Sequence, residues 1–275
     1  MSATLAPTRP SPTKSLPSQL RVTQRRVLRS EWTKFRSLRS TVYTLLVAFV
    51  LTIGIGAMFA AITASLPGGF DEGETAISTS LSGTFFAQLA IGVLGVLFIS
   101  GEYSTGSIRS SLAVVPRRLP MLWAKLAVFA GAVFVTMLAA SFTAFLVGQA
   151  LLSGKGMDAS LSDPGALRSV IGSAMYLTLV GMIGVALGAL FRNTAAAIST
   201  VVVAFFVIAP LTMLLPASWA AHFVQYLPSN AGAMLLGGTY GVANPLSPWT
   251  GFAVMTAYAV VLVWFAAWRL RRVDA

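Results

Sequence analysis

Residues 126–154 read LAVFAGAVFVTMLAASFTAFLVGQALLSG, which is 29 consecutive positions without a charged side chain. A helix crosses the hydrocarbon of a bilayer with about 20 predominantly apolar residues. Polarity does not alternate along the stretch, so it does not read as a strand of a membrane barrel. Charges stand only at its borders, Lys125 on one side and Lys155 on the other. The same test finds a first span within 40–70, between Arg39 and Asp71. A second lies within 75–101, between Glu74 and Glu102, and a fourth within 169–191, between Arg168 and Arg192. The last uncharged stretch runs 76 residues, from Asn193 to Trp268. Two spans use about 40–50 of these. Pro210, Pro216, Pro228, Pro245 and Pro248 interrupt the rest. The fifth span is therefore expected near 194–215 and the sixth near 249–268. The fold class that follows is all-α: a polytopic membrane protein with about six transmembrane helices in a domain covering 40–268.

Composition agrees. Hydrophobic residues make up 56% of the 275 positions and charged residues 10%. A soluble domain carries about 25% charged residues, so this chain could not cover its surface with polar groups. The net charge of +11 would point to nucleic acid in a soluble protein. Here no soluble fold exists to present a basic stripe, and no nucleic-acid partner is expected. Without cysteine the chain has no disulfide, no Cys zinc site and no thiol chemistry.

The charge instead orients the chain. With the N-terminus inside, 17 of the 19 basic residues fall on the cytoplasmic side, and only Lys155 and Arg168 fall outside. Five of the eight acids, Asp71, Glu72, Glu74, Asp158 and Asp163, also fall outside. The localisation expected is the cell membrane, multi-pass, with both termini cytoplasmic. Residues 1–20 hold Pro7, Pro10, Pro12 and Pro17 among Ser and Thr. They read as a disordered cytoplasmic tail, and no apolar run follows their basic residues to make a signal peptide. Residues 269–275 read as the cytoplasmic C-terminal tail.

Two segments read as lying on the membrane. Within 21–39, Leu28, Trp32, Phe35 and Leu38 recur on one helical face, while Arg25, Arg26, Arg29, Lys34 and Arg36 fill the others. That is the pattern of a basic amphipathic helix in the headgroup plane; the plainer alternative is a positive-inside flank. Between spans five and six, Trp219, Phe223 and Tyr226 share one face, opposite Ser218, His222, Gln225 and Ser229. Amphipathic aromatic rings favour the interface. Gly237, Gly238 and Gly241 then let the chain bend back, so a short re-entrant or interfacial helix is expected.

Chemistry is sparse. No Asp, Glu, Lys, Arg or His falls in the middle of a span. Proton relays place such groups there despite a cost of about 2.5–3.5 kcal/mol or more. This argues against proton-coupled transport, intramembrane aspartyl proteolysis and retinal-type pumping. The single histidine, His222, has no acid near it in sequence. Gly154-Lys155 lacks a Gly five positions earlier and is followed by Gly156 rather than Ser or Thr, so no phosphate-binding loop exists. No catalytic residue, cofactor or metal site is expected. Gly184 and Gly188 form a small-xxx-small pair suited either to packing within the chain or to contact with a second copy.

The loop joining spans two and three carries the most information. It runs Gly101-Glu-Tyr-Ser-Thr-Gly-Ser-Ile-Arg-Ser-Ser-Leu-Ala-Val-Val-Pro-Arg-Arg-Leu-Pro120. Glu102 and Arg109 would share a face of a short helix, which Pro116 ends and after which Pro120 can open the next. The set Glu102, Tyr103, Gly106 and Arg109, then Pro116-Arg117-Arg118 and Lys125, resembles the loop of the ABC-2 type permease family, particularly its actinobacterial members. So does the entry to the first span, Arg29-Ser-Glu31-Trp-Thr-Lys34-Phe35-Arg36-Ser-Leu-Arg39-Ser. The likeness covers nearly the whole chain in span count, termini and the segment after span five.

The resemblance implies a permease subunit of an exporter, with a transport path formed by two six-span units. The second unit would be another copy or a homologue. A separate ABC ATPase subunit would dock beneath, and the loop carrying Glu102, Tyr103, Gly106 and Arg109 would couple it to the spans. Membrane lipid is the remaining partner. Alternatives are a non-transporting membrane anchor or immunity protein, or an enzyme at the outer face using a serine and His222. The topology has a direct check. A reporter active only outside the cell, fused after Ala275, stays silent if both ends are cytoplasmic; strong activity overturns the assignment.

Overall fold

The computed structural model describes residues 24–67, 69–70, 74–104, 118–214, 216, 222–237 and 244–272, with only the backbone of 102–104, 118 and 213. No strand occurs among them. The helices are α1 Gln24–Ser37, α2 Arg39–Ser65, α3 Ala76–Ser80, α4 Gly83–Ser104 and α5 Arg118–Ser153. They continue as α6 Ala166–Phe191, α7 Thr194–Leu211, α8 Pro228–Ala233 and α9 Pro248–Arg272. Six of these, α2, α4, α5, α6, α7 and α9, are long and apolar enough to cross a membrane. The chain is an all-α polytopic membrane protein.

Local chemistry explains where the helices begin and end. Leu66 precedes Pro67, which disfavours helical backbone at Leu66, and α2 stops there with Leu66 at ψ 137°. Thr75 and Ser78 cap α3 reciprocally: the Ser78 N–H donates to Thr75 Oγ1 and the Thr75 N–H donates to Ser78 Oγ. Arg192 takes a left-handed conformation, the only non-glycine to do so among the described residues. Asn193 beside it caps α7 by accepting from the Ala196 N–H at 3.0 Å. That two-residue corner turns α6 back into α7. Pro210 has no N–H for the helix ladder, and α7 widens into a π-helical stretch over Val203–Val207 just before it.

The helix ends that carry or adjoin Lys125, Arg192 and Arg271 lie together. Gln24 donates from its side chain to the Pro120 carbonyl, and Thr194 donates to Ser100, so α1 and the ends of α4, α5 and α7 meet at one level. This is the basic end of the bundle. At the far end, Ala60 of α2, Ala76 of α3 and Leu152 of α5 form a small separate cluster.

The centre of the bundle is the α4–α6 pair. Of the apolar stretch in each helix, 72% of α6 and 67% of α4 is buried, against 28% of α2 and 17% of α7. Glycine makes this possible. A Cβ on Gly95 would strike the Gly181 carbonyl oxygen, and one on Gly184 would strike the Gly92 carbonyl. The two backbones touch with no side chain between them. The Gly184–Gly188 pair is therefore used within the chain: Gly188 packs on Val96 and Ile99 of α4. The outward surfaces of α2 and α9 are apolar, with Tyr43, Leu46, Val50, Val260 and Trp264 exposed, as a lipid-facing surface requires.

A paired substitution tests the seam. Gly184→Ala must push two backbones apart and is expected to destabilise the detergent-solubilised protein by about 1–3 kcal/mol. Gly131→Ala in α5 meets nothing within 4 Å and should be neutral or slightly stabilising. Equal thermal shifts for the two would refute the tight seam.

Candidate functional site

The most chemically specific cluster lies at the basic end, where α1 docks against α4 and α5. Glu31 is the only acid in the basic segment 21–39. It lies four residues from both Val27 and Phe35, and all three are buried. Its carboxylate accepts from Lys125 Nζ at 2.8 Å and from Lys34 Nζ at 3.0 Å. The side chains of Glu31 and Lys125 are 3% and 1% exposed, whereas Lys34 reaches solvent at 42%. Lys125 Nζ also sits 4.3 Å from the centre of the Phe98 ring, an added electrostatic attraction for the ammonium. Phe35, Phe98 and Phe129, from α1, α4 and α5, pack with centroids 5.3–6.3 Å apart. They seal the ion pair from water. Three chain segments far apart in sequence thus share one charge and one aromatic cluster.

Burial raises the pKa of the Glu31 carboxyl and is the largest single influence on it. The charge and hydrogen bond of Lys125, with those of Lys34, outweigh burial, and the net pKa is lowered from 4.5. A carboxylate depressed in the folded state stabilises above its unfolded pKa and loses that contribution as pH falls through the folded one. The α1 attachment is therefore fully formed at neutral pH and weakens only in acid below the ordinary carboxylate range.

The helix expected over 21–39 is present from Gln24, but it turns a different flank inward. Of the stripe Leu28, Trp32, Phe35 and Leu38, Phe35 is buried and Leu28 packs partly on the core. Trp32 and Leu38 remain exposed, with Trp32 stacked on Phe35. Val27 and Glu31, outside that stripe, complete the buried face with Phe35. An acid at apolar spacing on a basic helix was the available signal for them. In sequence Lys125 borders the third uncharged stretch. Yet α5 runs from Arg118 for 36 residues, about 54 Å at 1.5 Å each, longer than the roughly 30 Å hydrocarbon core. Lys125 thus belongs to the helix itself.

Glu102 and Tyr103 fall in the last turn of α4; their side chains, and Gly106 and Arg109 altogether, lie outside the described residues. So do Trp219, the tail 1–20 and residues 273–275, while Arg269, Arg271 and Arg272 continue α9. Phe223 and Tyr226 are exposed at the far end, and the Tyr226 carbonyl accepts from the Tyr258 hydroxyl. After them α8 and a turn at Met234–Leu236 re-enter the bundle, with Ala231 and Leu235 buried. Gly237, at φ 89°, ends that turn in the left-handed conformation that glycine allows.

A second polar group lies deeper and is uncharged. Thr84 and Ser141 both hydrogen-bond Ser173, and the Tyr176 hydroxyl donates to Gln88. Gln149 donates to Ser80 and to the Ala76 carbonyl and accepts from the Ala159 N–H. These bonds satisfy polar atoms where lipid offers no partners. They join α3, α4, α5 and α6 but supply no carboxylate, ammonium, guanidinium or imidazole for moving protons. No group of three or more metal-ligating side chains occurs among the described residues. Searched against known family models and curated proteins, the sequence matches none.

Because the chain lacks cysteine, cross-linking between Gln24→Cys and Leu119→Cys can report docking of α1 directly. Glu31→Gln leaves Lys125 buried without its counter-charge and is expected to cost about 3–5 kcal/mol and lower the cross-linking yield. The combined Glu31→Leu and Lys125→Met change should restore most of the stability. The unsubstituted contact should persist at neutral pH and weaken in acid. A single Glu31→Gln variant as stable as the parent would disprove the buried pair.

Proposed function

We propose that this chain is the membrane-spanning permease subunit of an ABC-type exporter, coupled to ATP hydrolysis in a separate subunit. The observation that carries the reading is the Glu31–Lys125 pair. A nucleotide-driven permease needs a stiff element at its cytoplasmic side through which an ATPase can move spans that bear no catalytic groups. Here the basic end is such an element. The segment after α4 leads directly into α5, and α5 is bound to α1 by a sealed ion pair. Force applied at that segment reaches α1, α4 and α5 together through Phe35, Phe98 and Phe129.

Further support comes from what the sequence omits and resembles. The chain has no phosphate-binding loop, which agrees with ATP being hydrolysed in a partner. The resemblance of the 101–120 loop and of the entry at 29–40 to ABC-2 permeases points the same way. In this reading both termini are cytoplasmic and two six-span units form the path. Residues 101–116 are the coupling element. Glu102 and Arg109 meet the ATPase there, and Trp32 rests in the headgroup layer.

Purified alone, the chain should turn over no ATP, and isolation from its native membrane should bring an ATP-hydrolysing subunit with it. ATP turnover by the single chain, surviving controls for contaminants, would defeat the proposal. Within the complex, Glu102→Gln or Arg109→Glu should leave abundance nearly intact while transport per molecule, and stimulation of the ATPase, fall at least tenfold, about 1.4 kcal/mol of lost coupling. Normal transport per molecule with depleted protein would instead assign those residues to folding.

A further inference from the structure

A groove of about 370 Å³ opens on the outer surface of the bundle between α5, α6 and α9, at the basic end. Leu179 and Met182 of α6 form part of its lining, with Trp123 of α5 and Trp264 and Trp268 of α9. All three indoles are exposed. Arg271 is the one charged residue of the lining. It is exposed, and among the described residues it has neither an ion pair nor a hydrogen bond. Arg272 lies over the Trp268 ring at 4.6 Å, and Arg269 adds a third positive charge to the same helix end. The groove also reaches Thr256, 15 residues before Arg271, or about 22 Å along α9. One leaflet of hydrocarbon is about 15 Å deep.

We propose that this groove binds one anionic phospholipid, its acyl chain along Leu179, Met182 and Val260 and its phosphate at Arg271. Each part of the site matches one part of that molecule. The groove, at about 22 Å, is long enough to cover the roughly 15 Å hydrocarbon of one leaflet and still reach the headgroup level. Tryptophans occupy the level where indole N–H groups meet glycerol and phosphate oxygens. A guanidinium presents paired donors suited to a phosphate, and basic pockets between spanning helices select anionic headgroups. A second copy of the chain is the poorer occupant. Related by an axis along the membrane normal, it would bring its own three arginines to the same level, charge against like charge. The site does not depend on the permease reading, since lipid retention needs neither an ATPase nor transport.

Native mass spectrometry of the full chain, released from detergent containing phosphatidylglycerol or phosphatidylcholine of identical acyl chains, tests the site. One phosphatidylglycerol should be retained per chain, with roughly tenfold preference over phosphatidylcholine. Arg271→Ala should lower that preference about fivefold, the effect of one basic residue near the headgroups. Val260→Trp should reduce retention of both lipids by filling the groove; Val260 is exposed, so the core is undisturbed, and an unchanged melting temperature verifies this. Arg25→Ala on α1 should change nothing. Equal retention of the two lipids, or an Arg271→Ala variant that keeps the preference, overturns the proposal. So does a lipid-free dimer that Val260→Trp dissociates, which would give the groove to a second copy.

Discussion

The backbone contact between α4 and α6 is the constraint from which the rest of this bundle takes its shape. In lipid, apolar side chains gain little by leaving one hydrocarbon environment for another, so helices associate through close fit and shared polar contacts. Gly92 and Gly95 on α4 and Gly181, Gly184 and Gly188 on α6 supply the fit. Once those backbones touch, the positions of the neighbours follow. Gly92 also faces Val201 of α7, and Gly181 receives the Phe129 ring of α5. The same approach brings Gln88 of α4 to Tyr176 of α6 and Thr84 to Ser173. Close packing and polar satisfaction are thus one arrangement: the glycines allow the distance at which the hydroxyls and amides can pair.

The basic end solves a different problem. A buried ion pair is costly to desolvate and adds little stability over an apolar pair of the same volume, yet removing one partner is severe. Such a pair specifies a geometry more than it strengthens it. Glu31 is satisfied only when α1 lies against α5 in one register, because Lys125 is fixed within a long helix and sealed by Phe98 and Phe129. Sliding α1 by a turn would leave both charges unpaired in an apolar site. The helix is thereby held as a part of the bundle as well as along its surface. The proposed coupling draws on that stiffness, since a movement delivered at one point of the junction is shared by α1, α4 and α5.

The far end is built for a contrasting purpose. Short helical pieces, α3 with its reciprocal cap and α8 opened by Pro228, close the bundle with buried small residues rather than buried charges. The Cβ that Gly251 lacks would strike the Ala231 carbonyl, so α8 lies directly on α9. Uncharged hydrogen bonds through Gln149 and Ser80 fasten α3 to α5. Glu74, Lys155, Asp158, Asp163 and Arg168 stand at this end but outside its buried contacts, whereas at the basic end a charge pair is part of the packing.

How much of this could be read from the chain follows from the range of each interaction. Four apolar stretches bounded by charge, and a fifth long enough for two spans, were legible, because hydrophobicity along one helix is a local property and a bilayer has a set thickness. The helix at the N-terminus and the interruption by Pro210 were legible for the same reason. The partner of each helix was not. Gly184 and Gly188 left open whether they faced another part of the chain or a second copy, and only the approach of α4 assigned them. Glu31 and Lys125 stand 94 positions apart, each looking like an ordinary charge at a membrane border. Their pairing depends on which flank α1 turns inward, and periodicity allowed neighbouring stripes. The sequence by itself determined which segments are helical and apolar; the tertiary structure alone decided which faces meet, because burial of a charge is affordable only where the fold delivers its counter-charge.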